Sequence, residues 1–283
     1  MSVVLVSFSV MAVSIRELAR ALSVFETLAL RNMAGIVILF AIALCKPHLR
    51  SALAPRMLGW HGIRNGIHFA AQAAWAFSIT VLPFATVFTL EFTTPIFVAI
   101  LAALLLGEAM TGPRVAAIGL GFLGILVVQL PKTGSFEPLA VIPLGAALGF
   151  ALANIVTKRL TRTEPTFAIL YWMNVMQLPL NLLWADAGFA YKIHLVHLLP
   201  ILGICVAGFL GQYALTNAFR YADAITVVPI DFMRIPLIAL IGFTFYGETL
   251  DPLVFVGALL IVTGIVYNLH AETRGPSPAL KPA

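Results

Sequence analysis

The chain has 283 residues, 61% hydrophobic and 10% charged, with a mean hydropathy of +1.00 and a formal net charge of +5. A soluble domain carries about 25% charged residues, and a water-soluble fold of this size cannot hide so much apolar surface, so lipid is the solvent that suits this sequence. The basic excess does not point to nucleic acid, because most Lys and Arg sit in short gaps between apolar runs and form no basic face or reading motif.

A spanning helix needs about 20 mostly apolar residues. Ten such runs follow one another, at 2–19, 24–45, 57–81, 84–106, 113–130, 138–158, 165–184, 195–219, 224–246 and 250–270. With no water in the bilayer, each backbone must satisfy itself, so these runs are expected to be helices. They lack the apolar–polar alternation of outer-membrane barrel strands. The first run carries a small-x-small imitation of a cleavage site at Ala12-Val13-Ser14, but no Lys or Arg precedes it, so it reads as a spanning helix. The second opens with Phe25-Glu26 and Arg31-Asn32 and stops at Lys46-Pro47-His48. Arg64, Asn65, His68, Gln72 and Trp75 punctuate the third run, and Glu91, Thr94 and Pro95 the fourth, which closes at Gly107-Glu108. The fifth run ends at Pro131-Lys132-Thr133-Gly134. Beyond it, Asn154 lies in the sixth, Trp172, Asn174, Gln177 and Asn181 in the seventh, and Gln212, Tyr213 and Asn217 in the eighth. The ninth carries Pro229, Asp231, Phe232, Arg234 and Pro236 before Gly247-Glu248. From Glu272 the Pro- and Ser-containing tail is expected to be disordered. Cys45 and Cys205 are too few for a disulfide framework, and no metal-ligand spacing occurs.

Lys and Arg set orientation. With the N-terminus inside, ten basic residues fall in inside loops and four in outside loops, which places both termini in the cytoplasm of a multi-pass protein of the cell (inner) membrane. Arg31, Arg64 and Arg234 lie within spans and are not counted.

The sequence repeats at an offset of 140 residues: Glu91 falls on Asp231, Gln72 on Gln212, Ser14 on Asn154, Gly107-Glu108 on Gly247-Glu248 and Gly124 on Gly264. Pro95 and Pro236 miss by one. The unit holds five helices, an odd number, so the second copy must enter the membrane upside down. The expected fold is an all-α integral membrane protein of ten transmembrane helices in two inverted five-helix repeats, 1–131 and 138–271, with a cytoplasmic tail at 272–283.

Thr94-Pro95-Ile96-Phe97 running to Leu105-Leu106-Gly107-Glu108 with Gly119 and Gly124, its second copy through Ile225, Pro229, Phe245-Tyr246-Gly247-Glu248, Gly257 and Gly264, and Phe25-Glu26 with Arg31-Asn32, resemble the EamA-type branch of the drug/metabolite transporter superfamily. The resemblance covers nearly the whole chain. It implies a carrier for amino acids, vitamins, nucleotide-like metabolites or drugs, without fixing one.

Ionisable groups inside a bilayer are costly and serve as functional candidates. Glu91 and Asp231 each stand about 10 Å into their helices; with His68 they are the expected proton-coupling groups. Asp231 can also pair with Arg234 at i, i+3, whereas Glu91 has no basic partner on its own helix. Substrate contacts are expected from Arg234, as a clamp for an anionic group, from Gln72, Gln212 and Asn154, and from Trp75 and Tyr213, with Trp172 and Phe232 as further aromatic walls. Pro95, Pro229 and Pro236 are expected to kink helices, and Gly62/Gly66 and Gly145/Gly149 to allow close helix contact. The leading reading is a secondary transporter of small organic metabolites working by alternating access, monomeric or homodimeric, with the lipid bilayer and a small-molecule substrate as partners and no cofactor, metal or nucleic acid. An integral membrane enzyme is the alternative, but no HExxH, GxSxG or other clustered catalytic set appears, so no catalytic residue is assigned. A channel would show a selectivity loop. No phosphate-cradling GxxxxGK[ST] is present to use ATP.

Overall fold

A chain this apolar must close its backbone hydrogen bonds locally, and it does so with helices. The computed structural model describes residues 1–54, 56–82, 84–91, 93–107, 110–129, 138–227, 230–231, 234–247 and 252–274. The described α-helices are α1 (Ser2–Leu18), α2 (Val24–Cys45), α3 (Leu58–Val81), α4 (Phe84–Glu91), α5 (Thr94–Leu106), α6 (Gly112–Gln129), α7 (Val141–Leu160), α8 (Thr166–Leu182), α9 (Leu198–Tyr221), α10 (Ala224–Val227), α11 (Arg234–Tyr246) and α12 (Pro252–Arg274). No strand occurs among the described residues. Three described stretches are by themselves long and apolar enough to cross a bilayer: Val24–Cys45, Val141–Leu160 and Leu195–Tyr221.

The described residues of the apolar runs lie almost wholly on helix, but two runs are broken. The run 84–106 turns at Thr93 between α4 and α5, and in 224–246 the described residues 230–231, between α10 and α11, are 3-10 and not α. The first break has a local cause. Pro95 stands in the first turn of α5, where its missing N–H removes no intrahelical bond, and the Thr94 hydroxyl donates back to the Glu91 carbonyl at 2.5 Å. Pro95 therefore starts a helix instead of kinking one, which corrects the expectation of a bend. Pro236 lies within α11, two residues after its first described residue. Pro229, Phe232, Glu108, Glu248, Pro131-Lys132-Thr133-Gly134 and 275–283 lie outside the described residues. Helix α12 continues to Arg274, so the tail starts later than the expected Glu272.

Other helix ends follow from their side chains. Ser23 and Glu26 form a reciprocal cap at the start of α2: the Glu26 N–H donates to Ser23 Oγ (3.3 Å), and the Ser23 N–H donates to Glu26 Oε2 (2.7 Å). Gly107 and Gly247, 140 residues apart, follow α5 and α11 with φ of 69° and 63°. That left-handed conformation ends a helix with little strain only when no Cβ is present.

Helix α1 packs on α9, α3 on α7, α2 on α8, α5 on α7, and α6 on α12. A Cβ on Gly149 would come within 2.8 Å of Ala71 Cβ, so this glycine does set the α3–α7 approach. Gly62, Gly66 and Gly145 face open space, which corrects the expectation that they mediate close contacts. Two of the four apolar clusters meet α1. One holds Ile15, Leu18, Ile79, Phe84 and Phe88; the other holds Val98, Ile155, Phe219 and Val227, with Met1 packed against it. Met1 and Ile15 lie at opposite ends of α1, about 20 Å apart at the helical rise.

Candidate functional site

Helix geometry brings the polar positions together. On α3, His68 and Gln72 are spaced i, i+4 and Trp75 follows three residues later, so all three share one face. They point into a chamber also lined by Phe8 of α1, Glu91, Thr94 and Pro95 at the α4–α5 break, Phe150 and Asn154 of α7, Gln212 of α9, and Asp231 and Arg234 at the α10–α11 break. The chamber encloses a cavity of about 70 Å³, well below the size of a metabolite pocket, so a metabolite must move some of the side chains to enter.

Eight of the nine sequence-predicted site residues meet in this chamber: Arg234, Gln72, Gln212, Trp75, Asn154, Glu91, Asp231 and His68. Tyr213 does not. It is 46% exposed and stacks on Phe209, because neighbouring helical residues point about 100° apart and Gln212 is the one turned inward. Trp172 also lies away from the chamber; its Nε1–H donates to the Leu53 carbonyl at 3.1 Å.

The charged centre is a triad. Arg234, 1% exposed, donates from Nη2 to Glu91 Oε1 and to Asp231 Oδ2, both at 2.7 Å. Trp75 Nε1–H donates to the other Glu91 oxygen at 2.6 Å. The rings of Phe88 and Phe8 lie 5.1 and 5.5 Å from the guanidinium carbon, close enough for cation–π attraction. Glu91, which lacks a partner on its own helix, thus takes one from α11. The anionic clamp expected of Arg234 needs correction for the same reason: two carboxylates already hold its guanidinium. With all three groups ionised, the triad carries one net negative charge. Asp231 Oδ1 and Gln72 Oε1 are buried without a hydrogen-bond partner. Both are acceptors at the chamber wall, available to a ligand's donors.

His68 joins the chamber to a second polar layer. One ring nitrogen lies 3.3 Å from Gln212 Nε2 and the other 3.1 Å from Gln177 Nε2. Behind Gln177 stand Arg31 on α2 and Arg64 on α3, each 2% exposed. Arg31 Nη2 donates to Asn32 Oδ1 (3.0 Å) and to Gln177 Oε1 (3.4 Å). Arg64 donates to Thr157 Oγ1 (3.2 Å) and Asn65 Oδ1 (2.8 Å). The sequence offers Arg31 as a charge within a span and, with Asn32, as part of a family-like pattern, and Arg64 as a candidate without a role. A lone arginine in the apolar stretch of α2 is the signal that could have found the first of them.

Apolar packing seals the chamber beyond Trp75, where Arg16 of α1 lies over the Phe84 ring, its guanidinium carbon 3.9 Å from the centroid, and Glu17 accepts a hydrogen bond from the Tyr246 hydroxyl at 3.0 Å. Among the described residues no group of His, Cys, Asp and Glu could hold a metal ion.

The model of the EamA-like transporter family matches this chain twice, over residues 1–130 and 139–269. A riboflavin transporter of Brucella anthropi is 29% identical over 229 residues, covering 78% of this chain and 80% of the relative. An S-adenosylmethionine uptake transporter of Rickettsia prowazekii is 24% identical, covering 77% of this chain and 74% of the relative. A protein crystal structure aligns over 97% of this chain and 96% of its own with a TM-score of 0.76 at 17% identity, a likeness of fold alone.

Proposed function

This chain belongs to the EamA-like transporter family, whose members and relatives are named transporters and not enzymes, and from that premise we propose that it is a secondary carrier that moves small organic metabolites by alternating access. The observation that carries the reading is the chamber itself: two interrupted helices bring the hydrogen-bonded triad of Arg234, Glu91 and Asp231 to a polar wall of amides and aromatic rings. Interrupted helices at a central site are how carriers expose backbone and side-chain groups to a solute within the membrane.

In this reading the chain crosses the membrane ten times, α4 with α5 making one crossing and α10 with α11 another. The two halves are inverted copies. The paired family matches support this, and so does the packing: shifting α1 on α9 by 140 residues gives α7 on α3, which is also a principal contact. Both termini lie in the cytoplasm, on the count of ten basic residues against four. Rocking of the halves opens the chamber to each side in turn.

The triad suits proton coupling. Two carboxylates share one guanidinium, so a proton on either acid leaves a neutral pair. A group that can gain or lose one charge inside the bilayer without leaving the other two unpaired is a workable carrier of a proton. The lining favours planar metabolites with several hydrogen-bonding groups. Trp75, Phe150 and Phe8 offer ring faces and edges, while Gln72, Gln212, Asn154 and His68 offer amide and imidazole groups. The names of the relatives, for riboflavin and S-adenosylmethionine, support that class, and amino acids belong in the same test.

The test is uptake into proteoliposomes of labelled riboflavin, S-adenosylmethionine and a panel of amino acids, with and without a pH gradient. Saturable, competable uptake of one of them, faster with the gradient, is expected. Flux of none of these, from protein shown to be folded, would overturn the substrate class; conductance without saturation would overturn the carrier mechanism.

A further inference from the structure

Every carboxylate with an oxygen at the chamber triad is matched to Arg234, but the layer behind His68 holds two guanidiniums and no acid. We propose that Arg31 and Arg64 form an oxyanion subsite that takes the carboxylate or phosphate group of the transported solute. This rests on the carrier reading above and extends it to the chemistry of the solute.

Both side chains are 98% removed from solvent in the described structure, at 2% exposure each. Their hydrogen-bond partners are all neutral: Asn32, Gln177, Thr157 and Asn65. Among the described residues no Asp or Glu comes within ion-pair distance of either arginine. Neutral amides supply hydrogen bonds but no countercharge, and a buried charge without one is strongly destabilising. The unmet groups of Arg31 and Asn32 are all of one kind. Arg31 Nε, Arg31 Nη1 and the neighbouring Asn32 Nδ2 are buried donors with no acceptor. A set of donors lacking an acceptor on a positive centre is the complement of an oxyanion, and a guanidinium fork matches a carboxylate or phosphate with two parallel bonds.

The layer is also within reach of the chamber. Gln177 bonds both His68 and Arg31, and its bond to Arg31 is long, at 3.4 Å. If the Gln177 amide turns aside, an anionic group entering past His68 meets the fork of Arg31, with Arg64 beside it. Arg234 cannot serve in the same way, since both chamber acids already hold it.

The experiment reads the melting temperature of the full chain in detergent, in chloride buffer and with sodium acetate or phosphate replacing chloride at equal ionic strength. A ligand that binds only the folded form raises the melting point, so a rise of several degrees is expected in the native protein. Gln177→Glu builds a carboxylate against Arg31. It should raise the melting point in chloride alone and remove the response to acetate and phosphate, which keeps the test independent of any failure to fold. Arg31→Lys, which keeps the charge but loses the fork, should retain only part of the response. No rise in the native protein, or an undiminished rise in Gln177→Glu, would overturn the subsite. A second arm separates the solute's own anionic group from a free ion. Phosphate outside proteoliposomes should inhibit uptake of whichever solute is transported; uptake that rises with phosphate would assign the site to a free ion and overturn the solute assignment. Anion-dependent melting without flux of any solute would overturn the carrier reading and leave the anion site, whereas flux without an anion response would do the reverse.

Discussion

Two buried charge clusters stand on either side of the wall formed by His68, Gln72 and Gln212, and they are balanced in opposite ways. The chamber triad has two acids on one arginine, all joined by bonds of 2.7 Å. The layer behind has two arginines held only by amides and a hydroxyl. They also differ in how they sit on the 140-residue offset. Glu91 falls on Asp231, but Arg31 falls on Tyr171 and Arg64 on Ile204. The acids are therefore common to both halves of the sequence, whereas the unmatched cations belong to the first half alone. In a low-dielectric interior a charge with its partner in place contributes to the fold, and one without a partner is costly unless a ligand completes it. The comparison teaches that burial alone does not say which arginine is structural; the charge count around it does.

The largest effect expected is the contrast between Arg234→Gln and Arg31→Met. Removing Arg234 strands two buried carboxylates and should cost about 3–5 kcal/mol. Removing Arg31 deletes a cation that has no countercharge and should leave stability unchanged or raise it, while oxyanion binding is lost. Denaturation of both variants in one detergent checks this. Equal destabilisation would mean that the arginine layer is as well satisfied as the triad, and the contrast would collapse.

Within the triad, Glu91→Gln should cost about 1.5–3 kcal/mol, the usual worth of hydrogen bonds to a charged group. Asp231 still holds Arg234, so the fold should survive. Initial uptake rates across external pH should then be flat where the native protein shows a slope. A slope that persists in Glu91→Gln, and also in Asp231→Asn, would remove the triad from coupling altogether.

Packing gives a way into the arginine layer that leaves its charges in place. A Cβ on Gly208 would sit 2.7 Å from Arg31 Cδ and 3.0 Å from Cγ. Those atoms are in the stem of the side chain, so Gly208→Ala must displace the guanidinium and should cost about 1–3 kcal/mol, as overpacking does. Gly62→Ala, facing open space, is the control and should be near neutral. Gly208→Ala should weaken the acetate response and spare the pH profile of uptake.

What the sequence allowed one to read, and what it hid, follows the same division. His68, Gln72 and Trp75 were legible because helical spacing alone puts them on one face. Glu91 and Asp231 were legible as offset mates. The bond from Arg234 to Glu91 joins residues 143 apart, and no local period encodes which distant helix supplies a partner. Tyr213 was misplaced because composition does not say which side of α9 faces inward. The helix breaks were hidden because an apolar run looks continuous until Thr94-Pro95 is recognised as a helix start and not a kink. Arg31 was passed over as one charge in an apolar stretch, although such a charge is rare enough to be informative.

The smallest effect expected comes from outside the spans. Lys192 reaches Glu26 Oε1 at 2.7 Å and Asp186 Oδ2 at 3.1 Å, so it ties the α8–α9 connection to the start of α2, five residues before Arg31. The Gly188 N–H and then Lys192 hold the Asp186 carboxyl below the usual range, while Glu26 and Asp186 raise the Lys192 ammonium above its own. A lowered carboxyl stabilises above its unfolded pKa and loses that contribution as pH falls through the lowered value. A raised ammonium stabilises below its unfolded pKa and loses it as pH rises through the raised value. The clamp is thus complete across the neutral range and weakens only in acid or strong alkali. Asp186 and Lys192 are solvated, so their pair contributes little, and the buried Glu26 keeps the N–H groups of Ser23 and Asp186 as donors when Lys192 is removed. Lys192→Ala should therefore lower the melting point slightly at neutral pH and not at all in acid. It should loosen α2 and so reduce the acetate response a little, with the triad's pH profile of uptake unchanged. A change in that profile would show that the two charge clusters are coupled through α2 and do not act separately.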